Sequence, residues 1–286
     1  MSSIQTVGII GAGTMGNGIA QACAVSGIRV VMVDVAQAAV DKGLATVAGS
    51  LDRLIKKEKL TAEGKAAALA LIQGSTSYDD LKGAQLVIEA ATENEGLKVK
   101  ILQQLDGILA PEVIVATNTS SISITKLAAA TKRADKFIGM HFFNPVPIMA
   151  LVEVIRGLAT SDETAARTIE LAKVMGKTPV VANDRAGFVS NRVLMPLINE
   201  AFYAWMEGVA KPEDIDQIMK LGCNFPMGPL RLADFIGLDV CHDIMMVLHR
   251  ELGDPKFFPC PMLRQLVLAG RLGDKTKRGV FEYATK

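Results

Sequence analysis

The chain has few of the features that mark a secreted, metal-binding or nucleic-acid-binding protein. It has four cysteines in 286 residues and no CxxC pair, so we expect neither a zinc site nor a dithiol redox motif. Spread-out thiols in a chain of this length are typical of a reducing compartment. The formal net charge of +1 provides no field that would attract nucleic acid or an anionic membrane.

The sequence also indicates no membrane or targeting segment. The first 28 residues carry no charged side chain, but six glycines interrupt this run and no basic stretch precedes it. No other stretch is long and apolar enough to span a bilayer, so we expect a cytoplasmic protein with no membrane partner. The hydrophobic fraction of 50% is high for a soluble chain and favours contact with a partner subunit.

Strand and helix patterns alternate over the first two thirds of the chain. Residues 4–10 and 28–33 are apolar runs typical of buried parallel strands, and apolar side chains at helical spacing lie between them. Five more strands are predicted, at residues 86–90, 113–116, 136–140, 151–155 and 178–181. After Asn183 we predict helices until the last few residues, over 186–207, 213–221, 230–252 and 261–269. The pattern predicts a doubly wound, mostly parallel α/β domain over residues 1–184 and an all-helical domain over residues 185–286.

A glycine-rich turn connects the first predicted strand to a helix. Gly11, Gly13 and Gly16 form a GxGxxG pattern, and Asp34 ends the next strand, which is the context of a Rossmann-type dinucleotide site. Gly13 would let a pyrophosphate approach the backbone, and Asp34 would accept the adenosine ribose hydroxyls. Asp34 is also placed to cap the following helix. Because no arginine follows it to bind a 2′-phosphate, we predict NAD as the cofactor.

Candidate catalytic residues follow two other predicted strands. His141 follows the strand predicted at 136–140, and the hydroxyl-rich segment 117–121 follows another. A histidine there is suited to acid–base catalysis, although a structural role is as consistent with its position. Glu153 interrupts an apolar strand, where it either faces water or holds His141. Asn191 lies on a helical row that should face the core. His242 and His249 have no accompanying metal ligands, so we predict no metal site.

Several of these segments resemble the short 3-hydroxyacyl-CoA dehydrogenases. The similarity runs through GAGTMG (11–16), TENEGLKVK (92–100), HFFNP (141–145), DRAGFVSNRV (184–193), FPMGP (225–229) and GDKTKRGVFEY (273–283). It covers nearly the whole chain, and HFFNP and FPMGP are its most specific segments.

The resemblance implies a role for individual residues. The family's catalytic base falls on His141, its orienting acid on Glu153, and its active-site serine and asparagine on Ser120 and Asn191. Cofactor contacts fall on Asp34, Glu93, Lys98, Ser120 and Lys275, and coenzyme A contacts on Ser50 and Lys57. For the three lysines, solvated surface charge is the ordinary alternative. The family also implies a homodimer formed through the helical domain.

These assignments predict hydride transfer between NAD and C3 of a 3-hydroxyacyl-CoA such as 3-hydroxybutanoyl-CoA. Two other hypotheses stay open. A related NAD-dependent hydroxyacid dehydrogenase would use a lysine base on the long helix, where residues 187–207 contain no lysine. A crystallin-like NAD-binding protein without activity would be expected to lack some of the four catalytic residues. The preferred acyl-chain length is not determined.

Overall fold

A computed structural model of the chain describes residues 4–284. The chain divides into two compact units, Met1–Arg185 and Ala186–Lys286. Each unit contains its own cluster of buried apolar side chains, centred on the sheet in the first unit and on packed helices in the second.

The first unit contains eight strands and six α-helices among its described residues. The strands are β1 (Thr6–Ile10), β2 (Arg29–Val33), β3 (Ile72–Ser75), β4 (Leu86–Glu89), β5 (Ile114–Thr117), β6 (Phe137–Phe142), β7 (Leu151–Arg156) and β8 (Thr178–Asn183). The helices are α1 (Thr14–Val25), α2 (Gln37–Lys56), α3 (Ala62–Ala70), α4 (Glu95–Asp106), α5 (Ile124–Ala129) and α6 (Asp162–Val174). Two 3₁₀ turns lie at Tyr78–Gly83 and Ala134–Lys136.

The strands form one sheet in the order β3-β2-β1-β4-β5-β6-β7-β8. The six strands from β3 to β6 in this order are parallel to one another. Strand β7 runs antiparallel to β6, and β8 runs parallel to β7. The chain goes from β1 outwards to β3 and then returns to β4 on the other side of β1. The prediction of a doubly wound, mostly parallel sheet is therefore confirmed, and the strand ends beside β1 and β4 form the crevice where such folds bind ligands.

The second unit is helical, as predicted. Its helices are α7 (Ser190–Met206), α8 (Pro212–Gly222), α9 (Pro229–Ile236), α10 (Leu238–Leu252) and α11 (Pro261–Leu268), with 3₁₀ turns at Pro255–Phe257 and Asp274–Thr276. The prediction that α7 begins at Ala186 is wrong by about one turn, since Gly187 and Phe188 have φ angles of 75° and 49°. Backbone in that left-handed region cannot continue a right-handed helix.

Three further details of the first unit differ from the sequence prediction. Strand β3 was not predicted because its residues IQGS are mostly polar or small, and α5 was not predicted because it is only six residues long. Strand β6 continues to Phe142, so His141 lies inside the strand instead of in the loop after it. Among residues 4–284, no helix combines the length and apolarity needed to cross a bilayer.

The four cysteines differ enough in exposure to predict their reactivity. Cys223 is exposed, whereas Cys23, Cys241 and Cys260 are buried. Burial raises the pKa of Cys23 and of Cys241 to about 12, and it also raises the pKa of Cys260. Because the thiolate is the reactive form, we expect a thiol reagent at mildly alkaline pH to modify one cysteine of the folded protein and all four after denaturation. C223S should abolish the native reaction, and rapid modification of a second thiol would contradict this assignment.

Candidate active site

The glycine-rich turn between β1 and α1 has the geometry of an anion cradle. Gly11 has a φ angle of 99°, and a Cβ there would lie 2.7 Å from the carbonyl oxygen of Ala90. A Cβ on Gly16 would lie against the Gly11 carbonyl, whereas the space above Gly13 is open. Within residues 4–284, no side chain caps the N-terminus of α1, and its first turn contains no acidic residue. The amide groups of this turn are therefore suited to a pyrophosphate.

Asp34 lies beside this turn at the end of β2. Its Oδ2 accepts a hydrogen bond from the backbone N–H of Ala12 at 2.8 Å. It provides no cap for α2. Ala36 occupies the N-cap position of that helix, and no side-chain capping hydrogen bond is formed there among residues 4–284. Burial raises the pKa of the neighbouring Tyr78, and the charges of Asp34 and Glu89 raise it further. A carboxylate and a half-buried ring thus face the end of β2, which fits the adenosine half of a dinucleotide.

His141 and Glu153 lie directly opposite each other on the antiparallel strands β6 and β7. The His141 Nδ1 lies 2.7 Å from Oε2 of Glu153, and both side chains are nearly buried. Against an ionised carboxylate, which can only accept, a neutral imidazole would donate from Nδ1 and keep Nε2 as its acceptor. Gly139, on the same face as His141, packs against Ile124 of α5, so this is the face that α5 covers.

The segment after β6 is held close to this pair. The Phe143 ring lies 4.6 Å from the imidazole centroid of His141. Farther along, the Lys177 ammonium donates to the carbonyl oxygens of Val146 and Met149, the latter at 2.9 Å. Burial lowers the pKa of Lys177. Lys177 had not been predicted from the sequence, because nothing local connects it to a loop about 30 residues earlier.

The predicted serine lies on a loop anchored at both sides. Glu93 accepts from the Ser120 backbone N–H at 2.5 Å through Oε1 and from the Thr119 hydroxyl at 2.9 Å through Oε2. The Asn118 Oδ1 accepts from the backbone N–H of Phe142 at 2.8 Å. The first contact brings together two residues predicted separately, Glu93 and Ser120. The second joins the loop to β6 next to His141.

Beneath this loop lies an ion pair that the sequence analysis missed. Lys98 is 1% exposed and Glu89 is fully buried, with 2.6 Å between Nζ and Oε2. Lys98 is therefore not a solvated surface charge. The sequence contains a signal that Glu89 is unusual: it is a carboxylate at the end of the apolar strand β4, just as Glu153 is a carboxylate within the apolar strand β7.

The remaining predicted residues lie on α2 and in the second unit. Ser50 is half-buried on α2 and Lys57 is exposed at its end. In the second unit, Asn191 is buried in the first turn of α7, and the exposed Lys275 pairs with Asp239. His249 lies 3.2 Å from the Asp254 carbonyl and packs on Phe258, as expected of a structural histidine. Among residues 4–284, no group of histidine, cysteine or carboxylate side chains could hold a metal ion.

Comparison with known proteins identifies relatives over nearly the full chain. The family model for the NAD-binding domain of 3-hydroxyacyl-CoA dehydrogenase matches residues 6–185, and the model for the C-terminal domain matches residues 187–283. A 3-hydroxybutyryl-CoA dehydrogenase of Bradyrhizobium diazoefficiens is 52% identical over 280 residues, covering 98% of this chain and 96% of the relative.

A second relative and a solved structure agree with these matches. The 3-hydroxybutyryl-CoA dehydrogenase of Clostridioides difficile is 48% identical and covers 96% of this chain and 98% of its own. The crystal structure of (S)-3-hydroxybutyryl-CoA dehydrogenase from Ralstonia eutropha superposes with a TM-score of 0.97. It has 66% identity and covers 99% of this chain and 100% of that one.

Proposed function

Since the chain belongs to the 3-hydroxyacyl-CoA dehydrogenase family, we propose that His141 and Glu153 are the acid–base pair of its reaction. The chain is an NAD-dependent enzyme that interconverts a 3-hydroxyacyl-CoA and the 3-ketoacyl-CoA. NAD, when bound, supplies the hydride acceptor. The proposal extends the activity to (S)-3-hydroxybutanoyl-CoA and acetoacetyl-CoA, the pair indicated by the names of its relatives.

The observation that carries this proposal is the buried contact of 2.7 Å between His141 and Glu153. Oxidation of a secondary alcohol requires removal of the O–H proton as the C–H hydride leaves. The Nε2 of His141 takes that proton, while Glu153 holds the tautomer and stabilises the resulting imidazolium, as the acid of a Ser-His-Asp triad does. In the reverse direction the imidazolium returns the proton to the 3-keto oxygen.

Further residues would bind and orient the substrate and the cofactor. Ser120 and Asn191 are assigned to the substrate oxygens, where they help to orient the alcohol and polarise the ketone. Ser50 and Lys57 are assigned to coenzyme A. For the cofactor, we assign the glycine turn and Asp34 together with Glu93, Lys98, Ser120 and Lys275. A higher KM for acetoacetyl-CoA in S50A and K57A, with unchanged turnover, would support the coenzyme A assignment.

The decisive experiment is an NADH-linked absorbance assay with acetoacetyl-CoA. Oxidation of NADH that depends on acetoacetyl-CoA supports the proposal, and acetoacetyl-pantetheine measures the contribution of the nucleotide part of coenzyme A. Activity with free 3-hydroxy acids alone would favour a hydroxyacid dehydrogenase. NADH binding without turnover of any of these compounds would favour a non-catalytic binding protein. Rates across acyl-CoA lengths then define the preferred substrate.

We expect NADH to be preferred over NADPH by about two powers of ten in kcat/KM, because Asp34 would repel a 2′-phosphate. D34N keeps an acceptor for the Ala12 N–H but removes the charge, so it should narrow this preference. D41N, which changes an exposed carboxylate on α2, is the matched control. A kinetic preference for NADPH, or unchanged discrimination in D34N, would contradict the role of Asp34.

The assembly and location are also proposals. We expect a homodimer formed through the helical unit, with a solution mass of about twice the chain's 30.5 kDa by light scattering. A monomer at working concentrations would exclude it. We expect the enzyme to fractionate with cytoplasmic proteins, and recovery in a membrane or secreted fraction would contradict that expectation.

A further inference from the structure

The buried ion pair between Lys98 and Glu89 calls for an explanation because neither side chain is accessible. Burial of two charges costs free energy that their attraction repays only when the remaining hydrogen-bonding capacity is satisfied. Here Oε1 of Glu89 accepts from the Ala91 backbone N–H at 2.9 Å. Oε2 accepts from Lys98 at 2.6 Å and from the Thr117 hydroxyl at 2.8 Å. The pair therefore joins the ends of β4 and β5 to the first turn of α4.

Lys98 also faces a second carboxylate. Its ammonium lies 3.9 Å from Oε2 of Glu93, a side chain that is 47% exposed. Glu93 is the residue that binds the backbone N–H of Ser120 and the hydroxyl of Thr119. One buried cation thus attracts both carboxylates, and the outer one holds the loop that carries Ser120.

The same loop is fixed at its start. Thr117, the last residue of β5, donates to Glu89, and Lys98 lies 3.4 Å from the Thr117 hydroxyl. The next residue, Asn118, accepts from Phe142 beside His141. A shift of the ion pair would therefore move both ends of the short segment from Thr117 to Ser120.

From this geometry we infer that Lys98 and Glu89 are positioning residues for the Ser120 loop. Lys98 pairs with Glu89 and orients Glu93, and Glu93 then sets the position of Ser120. The inference rests on the proposed function in taking Ser120 as a substrate-binding residue. This indirect role is additional to the cofactor contact assigned to Lys98 above, and it extends to Glu89, which has no such assignment.

The test uses the double variant E89Q/K98M. K98M alone leaves a buried, unpaired carboxylate and is expected to be strongly destabilised. The double variant removes both charges with side chains of similar size; the glutamine keeps one oxygen acceptor for the Ala91 N–H and can donate from its NH2 group to the Thr117 hydroxyl. We expect its thermal midpoint to recover towards that of the wild type, while turnover measured at saturating NADH stays at least about tenfold lower. Amide hydrogen exchange over residues 118–122 should become faster.

The controls separate this role from the alternatives. K126M removes the exposed ion pair between Lys126 and Glu95 near the same loop and should leave turnover and exchange unchanged. Recovery of turnover together with stability in E89Q/K98M would mean a purely structural pair. A loss confined to NADH affinity, with normal turnover at saturating NADH, would mean that the pair serves only as a direct cofactor contact. Either result would overturn the inference.

Two readouts keep the test decisive. If the wild-type enzyme fails to oxidise NADH with acetoacetyl-CoA, the proposed function fails, yet hydrogen exchange of the loop still measures the positioning. If the double variant does not fold, T117V removes one contact of the cluster. It should show the same faster exchange and a smaller loss of turnover. Unchanged exchange in the folded variant would overturn the inference.

Discussion

H141Q is expected to lower turnover by roughly two to four powers of ten while NADH binds almost normally. Glutamine can accept a hydrogen bond but cannot take a proton near neutral pH, so the variant separates polarity from basicity. The substitution should cost little free energy of NADH binding, because the glycine turn and Asp34 follow β1 and β2, whereas His141 lies in β6. Single-turnover rates and NADH fluorescence titration measure the two quantities independently.

H242Q is a suitable control for H141Q. His242 is only partly buried and lies 3.1 Å from the exposed Asp243, so its replacement should leave turnover unchanged. If H141Q retained near-normal turnover, His141 could not be the base. If H141Q and H242Q lost activity equally, the effect would be attributable to general destabilisation.

E153Q is expected to reduce turnover by roughly two to four powers of ten, since the imidazolium formed at His141 loses its counter-charge. The amide of a glutamine can also present a donor to Nδ1 and so favour the wrong tautomer. If Glu153 acts through His141, the double variant H141Q/E153Q should be no slower than H141Q. Stopped-flow measurement of the hydride-transfer step, with thermal unfolding of each variant, checks both statements.

The control and the conservative variant sharpen this test. E163Q removes a carboxylate that is 81% exposed on α6 and should have no effect on turnover. E153D keeps the charge on a side chain one methylene shorter, so it should recover part of the rate. Multiplicative losses in the double variant would contradict an orienting role, since independent residues contribute additively to the activation free energy.

Much of the fold could be predicted because apolar runs and glycine turns are local signals. The strands around GAGTMG are continuous apolar segments, as expected for a parallel sheet covered on both faces. Strand β3 escaped prediction because an edge strand needs little apolar character. The start of α7 was misplaced because Ala186 to Val189 have suitable helical spacing, and their non-helical backbone depends on contacts that spacing does not describe.

The candidate site was predictable where one residue carried the signal, and not where partners lie far apart in the chain. A carboxylate within an apolar strand indicated Glu153 and left two possibilities, contact with water or with His141, and the resemblance favoured His141. Lys98 lies on the same side of α4 as the buried Ile101, Leu102 and Leu105, so helical spacing was a signal against the surface position considered for it. Its pairing with Glu89 could not be predicted, because the register of α4 on the sheet is a tertiary property.

His141 and Glu153 are directly opposite each other on the antiparallel strands β6 and β7. The distance between their side chains is therefore set by the register of these two strands. The connection between these strands includes the exposed residues Ile148 and Met149, whose exposed fractions are 73% and 39%. Residues inserted there would enlarge the connection without drawing the two side chains apart, provided the ladder keeps its alignment. That connection is consequently a segment that evolution or design can lengthen while the spacing of the proposed acid–base pair is preserved.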